Sequence, residues 1–172
     1  PIRALGTCGG YTSDIVDGAR WAAGLEVPDV PANSNRAQVL NLSLGGTGSC
    51  SRTEQDAYDA ITAAGTTVVV SAGNSSRNAE DFSPASCDNV ITVAATQREG
   101  YLAYYSNFGK VVDISAPGGF TIPARGGVLS TVDSGLTTPA EDSYAFYQGT
   151  SMSAPHVAGV AALALQANPD LT

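Results

Sequence analysis

One serine lies at the predicted start of a helix, two residues after a glycine that could let a substrate approach the main chain closely. The run from Gly149 to Gly159 reads GTSMSAPHVAG, and Ser151 is its third residue. Backbone N–H groups and the positive end of a helix dipole favour negative charge at such a position. Ser151 therefore suits nucleophilic attack on an acyl carbon. Taken alone, a serine there is also an ordinary helix cap.

The helix after Ser151 carries two residues that limit its geometry. Pro155 has no N–H and cannot bond to the carbonyl of Ser151, which predicts a distorted or very short first turn. His156 is the single histidine of the chain. At 3.6 residues per turn it lies about 140° around the helix from Ser151, so we interpret it as structural and not as a general base.

A second polar residue, Asn74, follows an apolar strand in the segment SAGNS. A side-chain amide can donate to the oxyanion that forms as a carbonyl becomes tetrahedral. With the backbone N–H of Ser151 it would make a hole of two donors, to which Thr150 would give minor support. A turn residue is the alternative interpretation of Asn74 when the segment is taken alone.

Strand and helix patterns alternate along the chain. Strands are predicted at residues 1–5, 38–44, 66–72, 90–95 and 111–115, with short strands and turns over 118–147. Thr12 or Ser13 is expected to cap a first helix, and the capping box from Ser51 to Glu54 a second. Residues 68–70 are apolar on both faces, as in a central parallel strand. The predicted fold class is α/β, a mostly parallel sheet with helices on both faces and ligands at the carboxyl ends of strands.

Composition limits the class of protein. The chain has 172 residues, of which 43% are hydrophobic and 14% charged, with a net charge of −8. This acidity argues against a nucleic-acid partner, and no apolar run reaches the length of a membrane span. Both ends read as interrupted elements, so we expect residues 1–172 to be part of a single domain that is truncated at both ends.

Three cysteines, Cys8, Cys50 and Cys87, lack the spacing of a metal site. Cys50 and Cys87 lie in loop-like segments, so a disulfide between them is predicted, and Cys8 would then pair with a cysteine upstream of this chain. Three reduced thiols in a cytosolic protein are the alternative.

The GTSMSAPHVAG run resembles the serine motif of the subtilases, the subtilisin-like serine proteases. The segments NLSLGG at 41–46 and SAGNS at 71–75 match the same family in the same order. The resemblance implies a subtilisin-like three-layer fold and a secreted serine endopeptidase with Ser151 as nucleophile and Asn74 as oxyanion donor. It also implies a peptide-binding role for Ser43, Leu44 and Gly45. The backbone of Leu44 to Gly46, with Ala72 and Gly73, would form the walls of the pocket that holds the substrate residue before the cut bond.

The resemblance has further implications. Some family members bind a cation weakly at the positions of three backbone carbonyls. Calcium binding is common in the family, so structural calcium is an expectation here, although the sequence has no carboxylate cluster to demonstrate it. The Ser83–Pro84 bond matches a frequent cis-proline. A propeptide inhibitor is expected of the parent protein. Met152 beside the nucleophile predicts sensitivity to oxidation. The three carbonyls at which some family members bind a cation are, in this sequence, those of Ala85, Cys87 and Val90.

The Asp motif and the His-Gly-Thr-His motif of the family are both absent from this sequence. An upstream segment is therefore expected to supply the catalytic Asp and His, and the isolated chain is expected to be inactive. Two alternatives remain: a peptide-binding pseudo-protease or inert fragment, and an esterase or lipase. The latter is disfavoured because Ser153 stands where the Gly-x-Ser-x-Gly pattern has its second glycine.

Overall fold

A computed structural model describes residues 1–122 and 126–171. Within them are three α-helices, eight strands and one short 3₁₀ turn at Ala79–Asp81. In chain order the helices and strands are α1 (Thr12–Ala22), β1 (Val39–Leu42), β2 (Gly46–Thr47), α2 (Arg52–Ala63), β3 (Thr67–Ser71), β4 (Phe82–Ser83), β5 (Ile91–Thr96), β6 (Ile114–Pro117), β7 (Val128–Asp133), β8 (Asp142–Tyr147) and α3 (Thr150–Ala167). Residues 123–125, within the stretch predicted to hold short strands and turns, lie outside the described residues.

The central sheet has four parallel strands in the order β1-β3-β5-β6. Alternation along β3 divides the core into two layers, because successive side chains point to opposite faces. Val68 and Val70 pack with residues of α1 and α2, whereas Val69 packs with Ala154 of α3. The prediction of an α/β fold with helices on both faces of a parallel sheet is confirmed.

Two antiparallel pairs complete the strands. β2 pairs with β4 beside the sheet, and β7 pairs with β8 in a hairpin that directly precedes α3. Along the described residues no helix is both long and apolar enough to cross a membrane.

The capping box at the start of α2 is confirmed. Ser51 accepts the N–H of Glu54 at 3.3 Å, and the Glu54 carboxylate accepts the N–H of Ser51 at 3.0 Å. The same carboxylate accepts the hydroxyl of Ser83 at 2.5 Å. Burial raises the pKa of Glu54, but these hydrogen bonds to the charged form outweigh it and leave the pKa below its usual value.

Two predictions at the start of the chain are wrong. Residues 1–5 form no strand, because nothing among the described residues pairs with them, and the nearest bridge joins Gly6 to Gly9. α1 begins after Tyr11, without a side-chain capping bond from Thr12 or Ser13. Favourable residue types do not form a strand without a partner to supply hydrogen bonds.

Of the two outcomes predicted for the first turn of α3, distorted or very short, the very short one is wrong, because the helix is not interrupted at Pro155. The carbonyl of Ser151, which Pro155 cannot reach with an N–H, accepts the hydroxyl of Ser43 at 2.8 Å. An external donor thus replaces the missing helical hydrogen bond. This contact also ties the nucleophile turn to the end of β1.

Candidate active site

The two segments singled out from the sequence lie next to each other at one end of the sheet. Residues 43–46 follow β1 and residues 72–75 follow β3, and these strands are parallel neighbours. The amino end of α3 faces both. Together they form a cleft of about 330 Å³. It is lined by Leu44, Gly45, Gly46, Thr47, Ser71, Ala72, Gly73, Asn74, Ser75, Phe82, Ser83 and Ser151.

Ser151 and Ser43 make a reciprocal pair at the edge of this cleft. The hydroxyl of Ser151 donates to the carbonyl of Ser43 at 3.3 Å, while the Ser43 hydroxyl donates to the carbonyl of Ser151. The side-chain amide of Asn41 in turn donates to the Ser43 hydroxyl at 3.0 Å. Ser151 is half-buried and its hydroxyl makes one long hydrogen bond, so turning that hydroxyl toward a base would break only this one bond.

Thr150 fixes the orientation of Asn74. The Oδ1 of Asn74 accepts both the N–H of Thr150 at 2.8 Å and its hydroxyl at 2.9 Å. These two donors assign the amide oxygen to the side of Thr150 and leave Nδ2 as the outward donor. Across residues 1–122 and 126–171, Nδ2 makes no hydrogen bond.

The first turn of α3 leaves one N–H for a ligand. Thr150 uses its N–H on Asn74, and Met152 uses its own on the carbonyl of Gly149 at 2.9 Å. The N–H of Ser151 lies between them, where a helix provides no internal acceptor. A negative charge beside Ser151 would thus meet a backbone donor, the helix dipole and the amide of Asn74.

The loop that carries Asn74 is held by a residue that the sequence analysis missed. Asn107 is fully buried. Its Oδ1 accepts the N–H of Ser75 at 2.9 Å and that of Arg77 at 3.2 Å, and its Nδ2 donates to the carbonyl of Ala72 at 2.8 Å. Gly73 has a φ of 103°, and a Cβ there would collide with the Asn107 amide. Glycine is therefore required at 73 both for its backbone angle and for the approach of Asn107.

Two aromatic residues lie near the site: Phe82, which the sequence analysis missed, and Tyr105, for which the sequence leaves open whether it lines the groove or only packs. Phe82 lines the cleft and packs in a small apolar cluster with Ala72. The hydroxyl of Tyr105, a buried residue, bonds to the backbone of Gly119 and Gly149. Neither residue belongs to a motif. Tertiary packing alone places Phe82 in the cleft and the Tyr105 hydroxyl at the start of α3.

His156 is exposed, and its Nδ1 lies 2.7 Å from the carbonyl of Met152, one turn earlier in α3. The hydroxyl of Ser151 is directed to Ser43 instead. This geometry agrees with the interpretation of His156 as structural.

The predicted disulfide between Cys50 and Cys87 is present, with a Cα–Cα distance of 5.0 Å. Cys8 is exposed and unbonded in the described part of the chain, so its pairing with an upstream cysteine stays a prediction. The Ser83–Pro84 peptide is cis.

The candidate cation site is a poor match for calcium. The carbonyl of Ala85 already accepts the buried hydroxyl of Thr92 at 2.8 Å. Nowhere in the described ranges do three His, Cys, Asp or Glu side chains gather as metal ligands. Calcium takes six to eight oxygens, usually with carboxylates among them. A cation at Ala85, Cys87 and Val90 and structural calcium therefore both stay predictions, and no catalytic step depends on either.

Comparison with known proteins identifies the family. The model of the Subtilase family matches residues 1–172, the whole chain. The chain belongs to the subtilase family. Its cleft thus joins the serine and asparagine segments by which it resembles other subtilases.

Relatives of this subtilase chain carry protease names. It is 53% identical over 169 residues to an extracellular protease of Xanthomonas campestris pv. campestris, covering 98% of this chain and 28% of that protein. It is 47% identical over 167 residues to an extracellular basic protease of Dichelobacter nodosus, covering 97% of this chain and 26% of that protein. The chain thus spans about a quarter of the length of these relatives.

Solved structures agree on the fold. A protease of Pseudoalteromonas arctica superposes with a TM-score of 0.97 at 55% identity, covering 100% of this chain and 51% of the other. A cold-adapted subtilisin-like serine proteinase superposes with a TM-score of 0.76 at 33% identity, covering 99% of this chain and 54% of the other. The subtilisin-like α/β fold is therefore shown for this subtilase.

Proposed function

We propose that this chain is the larger part of the catalytic domain of a secreted serine endopeptidase. The observation that carries the proposal is the pairing of Ser151 with an oriented Asn74. Thr150 holds the amide oxygen of Asn74 through two hydrogen bonds, so the donor end of the amide is fixed before any substrate arrives. Preorganised donors of this kind stabilise charge in the transition state without a cost of reorganisation.

The proposed reaction is acyl transfer through Ser151. A base takes the hydroxyl proton while Ser151 Oγ forms a bond to the scissile carbonyl carbon, whose oxygen becomes negative between Asn74 Nδ2 and the Ser151 N–H. The tetrahedral species then collapses, the C–N bond breaks, and the leaving amine takes the proton from the base. Water, activated by the same base, hydrolyses the acyl-enzyme and regenerates Ser151.

We further propose that an upstream segment supplies the catalytic His and Asp. Three features support a segment packed against this chain. β1 pairs only with β3 among the described strands, so its other edge is open. An apolar cleft of about 340 Å³ adjoins β1. Val160 and Leu163 on α3 are both about two-thirds exposed, which is costly for aliphatic side chains on an 18-residue helix.

The substrate is proposed to be an extended polypeptide. Gly45 and Gly46 are exposed on one side of the cleft, and an extended peptide could pair with their main chain as an added strand. The main-chain groups of Ala72 and Gly73 on the other side already bond within the fold, so those residues would bound the pocket by shape. Secretion is supported by the disulfide and by the names of the relatives, which are called extracellular proteases. A propeptide inhibitor of the parent protein and a partner for Cys8 remain part of the same proposal.

The test is fluorophosphonate labelling of the full-length protein, followed by mass spectrometry and a casein assay. We expect one adduct on Ser151 and hydrolysis of casein. Ser151→Ala should abolish both, whereas Ser130→Ala, at an exposed serine of the β7–β8 hairpin, should change neither. The esterase alternative predicts hydrolysis of short-chain esters without casein hydrolysis. The pseudo-protease alternative predicts peptide binding with Ser151 unlabelled, and either result would contradict the proposal.

A further inference from the structure

One buried phenol holds the residue at which α3 begins. Tyr105 lies between β5 and β6 and is only 6% exposed. Its hydroxyl donates to the carbonyl of Gly119 at 2.8 Å and accepts the N–H of Gly149 at 3.0 Å. The N–H of Gly149 is also 3.0 Å from the carbonyl of Gly118. A single oxygen thus connects two backbone segments that lie far apart in the chain.

The position of Ser151 depends on the position of Gly149. It is the N-cap of α3, and its carbonyl accepts the N–H of Met152, which closes the turn that contains Ser151. Its φ of 149° lies in a region that other residues rarely adopt. Because glycine has the greatest backbone freedom, this N-cap depends on outside contacts to keep one position. A shift of Gly149 would move the hydroxyl and N–H of Ser151 relative to Asn74.

The hydroxyl of Tyr105 is closely confined. A Cβ added at Gly118 would lie 2.8 Å from it, and the ring packs against Ala95 and Ala103. Burial raises the pKa of Tyr105 more strongly than the hydrogen bond from Gly149 lowers it. The phenol therefore stays protonated at neutral and mildly alkaline pH, and it can donate to Gly119 throughout that range.

We propose that Tyr105 is a positioning residue for the nucleophile, which holds Gly149 through its hydroxyl and so aligns Ser151 with the oxyanion donors. This inference rests on the proposed peptidase function. A phenylalanine would keep the ring packing and lose only the bridge between Gly119 and Gly149. The role is therefore separable from the contribution of the ring to the core.

The adjacent tyrosine offers a matched control. Tyr104 is 61% exposed and makes an edge-to-face contact with Tyr105 at a centroid distance of 5.3 Å. Its hydroxyl accepts the side-chain amide of Gln148 at 3.1 Å. Tyr104→Phe thus removes a phenol hydroxyl that bonds to a side chain, whereas Tyr105→Phe removes one that bonds to the backbone of Gly149.

The experiment compares Tyr105→Phe and Tyr104→Phe in the full-length protease with a peptide p-nitroanilide. Rates are expressed per active site titrated with a fluorophosphonate, so that any unfolded fraction is not counted. We expect Tyr105→Phe to lower kcat about tenfold, within the roughly 10²-fold loss that a misplacement of about 1 Å can cause. KM should change less than twofold, and Tyr104→Phe should keep kcat within twofold.

Two results would overturn the role of Tyr105: an unchanged kcat per titrated site, or an equal loss in both variants. An unchanged kcat per site together with fewer titrated sites would mean that the hydroxyl serves folding alone. A wild-type protein that takes up no fluorophosphonate would instead contradict the proposed function, and this role with it. A labelled wild type with an unaffected Tyr105→Phe would contradict the role of Tyr105 only.

Discussion

Replacing Thr150 with valine tests whether the orientation of Asn74 matters for turnover. The side chain of Thr150 is fully buried. Its hydroxyl donates to Asn74 Oδ1 at 2.9 Å and accepts the N–H of Gly73 at 3.2 Å. Valine has nearly the same shape and removes both hydrogen bonds. Thr150→Ser keeps the hydroxyl and is the matched control.

The expected loss of activity follows from the two bonds on Asn74. After Thr150→Val, the amide oxygen still accepts the backbone N–H of residue 150 at 2.8 Å. One lost hydrogen bond costs about 0.5–1.5 kcal/mol, which corresponds to roughly 2- to 13-fold in the population of the aligned side chain. We therefore expect kcat to fall about 3- to 10-fold. Removal of the corresponding donor in subtilisin, a member of the same family, lowers turnover by ~10²–10³; that figure belongs to subtilisin and sets the upper limit here.

Thr150→Val should also lower stability for a separate reason. It leaves the partly buried N–H of Gly73 without its acceptor, which costs about 1–2 kcal/mol. This loss of stability does not depend on Asn74. Stability and turnover should therefore respond differently when Asn74 is also replaced.

The assay is a double-mutant cycle of Thr150→Val and Asn74→Ala in the full-length protease. The kcat per titrated site is measured on a peptide p-nitroanilide, and urea unfolding is followed in a Ser151→Ala background that cannot digest itself. In the absence of the Asn74 amide, Thr150→Val should change kcat less than twofold while still lowering the free energy of unfolding. If the two substitutions lower kcat independently, Thr150 does not act through Asn74 and the reasoning is refuted.

Three further predictions concern stability. Asn107→Ala removes three hydrogen bonds from a fully buried side chain to the backbone of Ala72, Ser75 and Arg77. It should lower the free energy of unfolding in urea by about 3 kcal/mol, against less than about 0.5 kcal/mol for the exposed Asn35→Ala, and equal effects would contradict this prediction. Replacing both Cys50 and Cys87 by alanine opens a loop with a sequence separation of 37. The lost constraint on the unfolded chain should lower the free energy of unfolding by about 4 kcal/mol, and an unchanged urea midpoint would exclude this contribution. Because the pKa of Glu54 is lowered in the folded state, its contribution to stability is present above about pH 4.5 and is lost as pH falls through the folded pKa. Urea unfolding of Glu54→Gln between pH 3 and 7 should therefore show a smaller loss at acid pH than the wild type, and parallel curves would contradict the assignment.

Patterns confined to short segments were predictable from the sequence. The capping box of α2 needs only residues three apart, and the apolar run at 68–70 needs only a covered sheet. The strand predicted at residues 1–5 failed because a strand requires a partner that a local pattern cannot supply. The cap predicted for α1 failed because Tyr11 occupies the N-cap position and Thr12 is already the first helical residue, so neither Thr12 nor Ser13 makes a capping bond.

The sequence by itself determined the fold class, the disulfide, the nucleophile segment and the loop of Asn74, because each depends on residue types or motifs that occur together along the chain. Only the tertiary structure decided how these parts are held. Ser43 meets Ser151 across 108 residues, Tyr105 meets Gly149 across 44, and Asn107 meets Ala72 across 35. Such contacts satisfy whichever backbone groups the fold leaves without partners, and those groups are defined only after the strands and helices have packed.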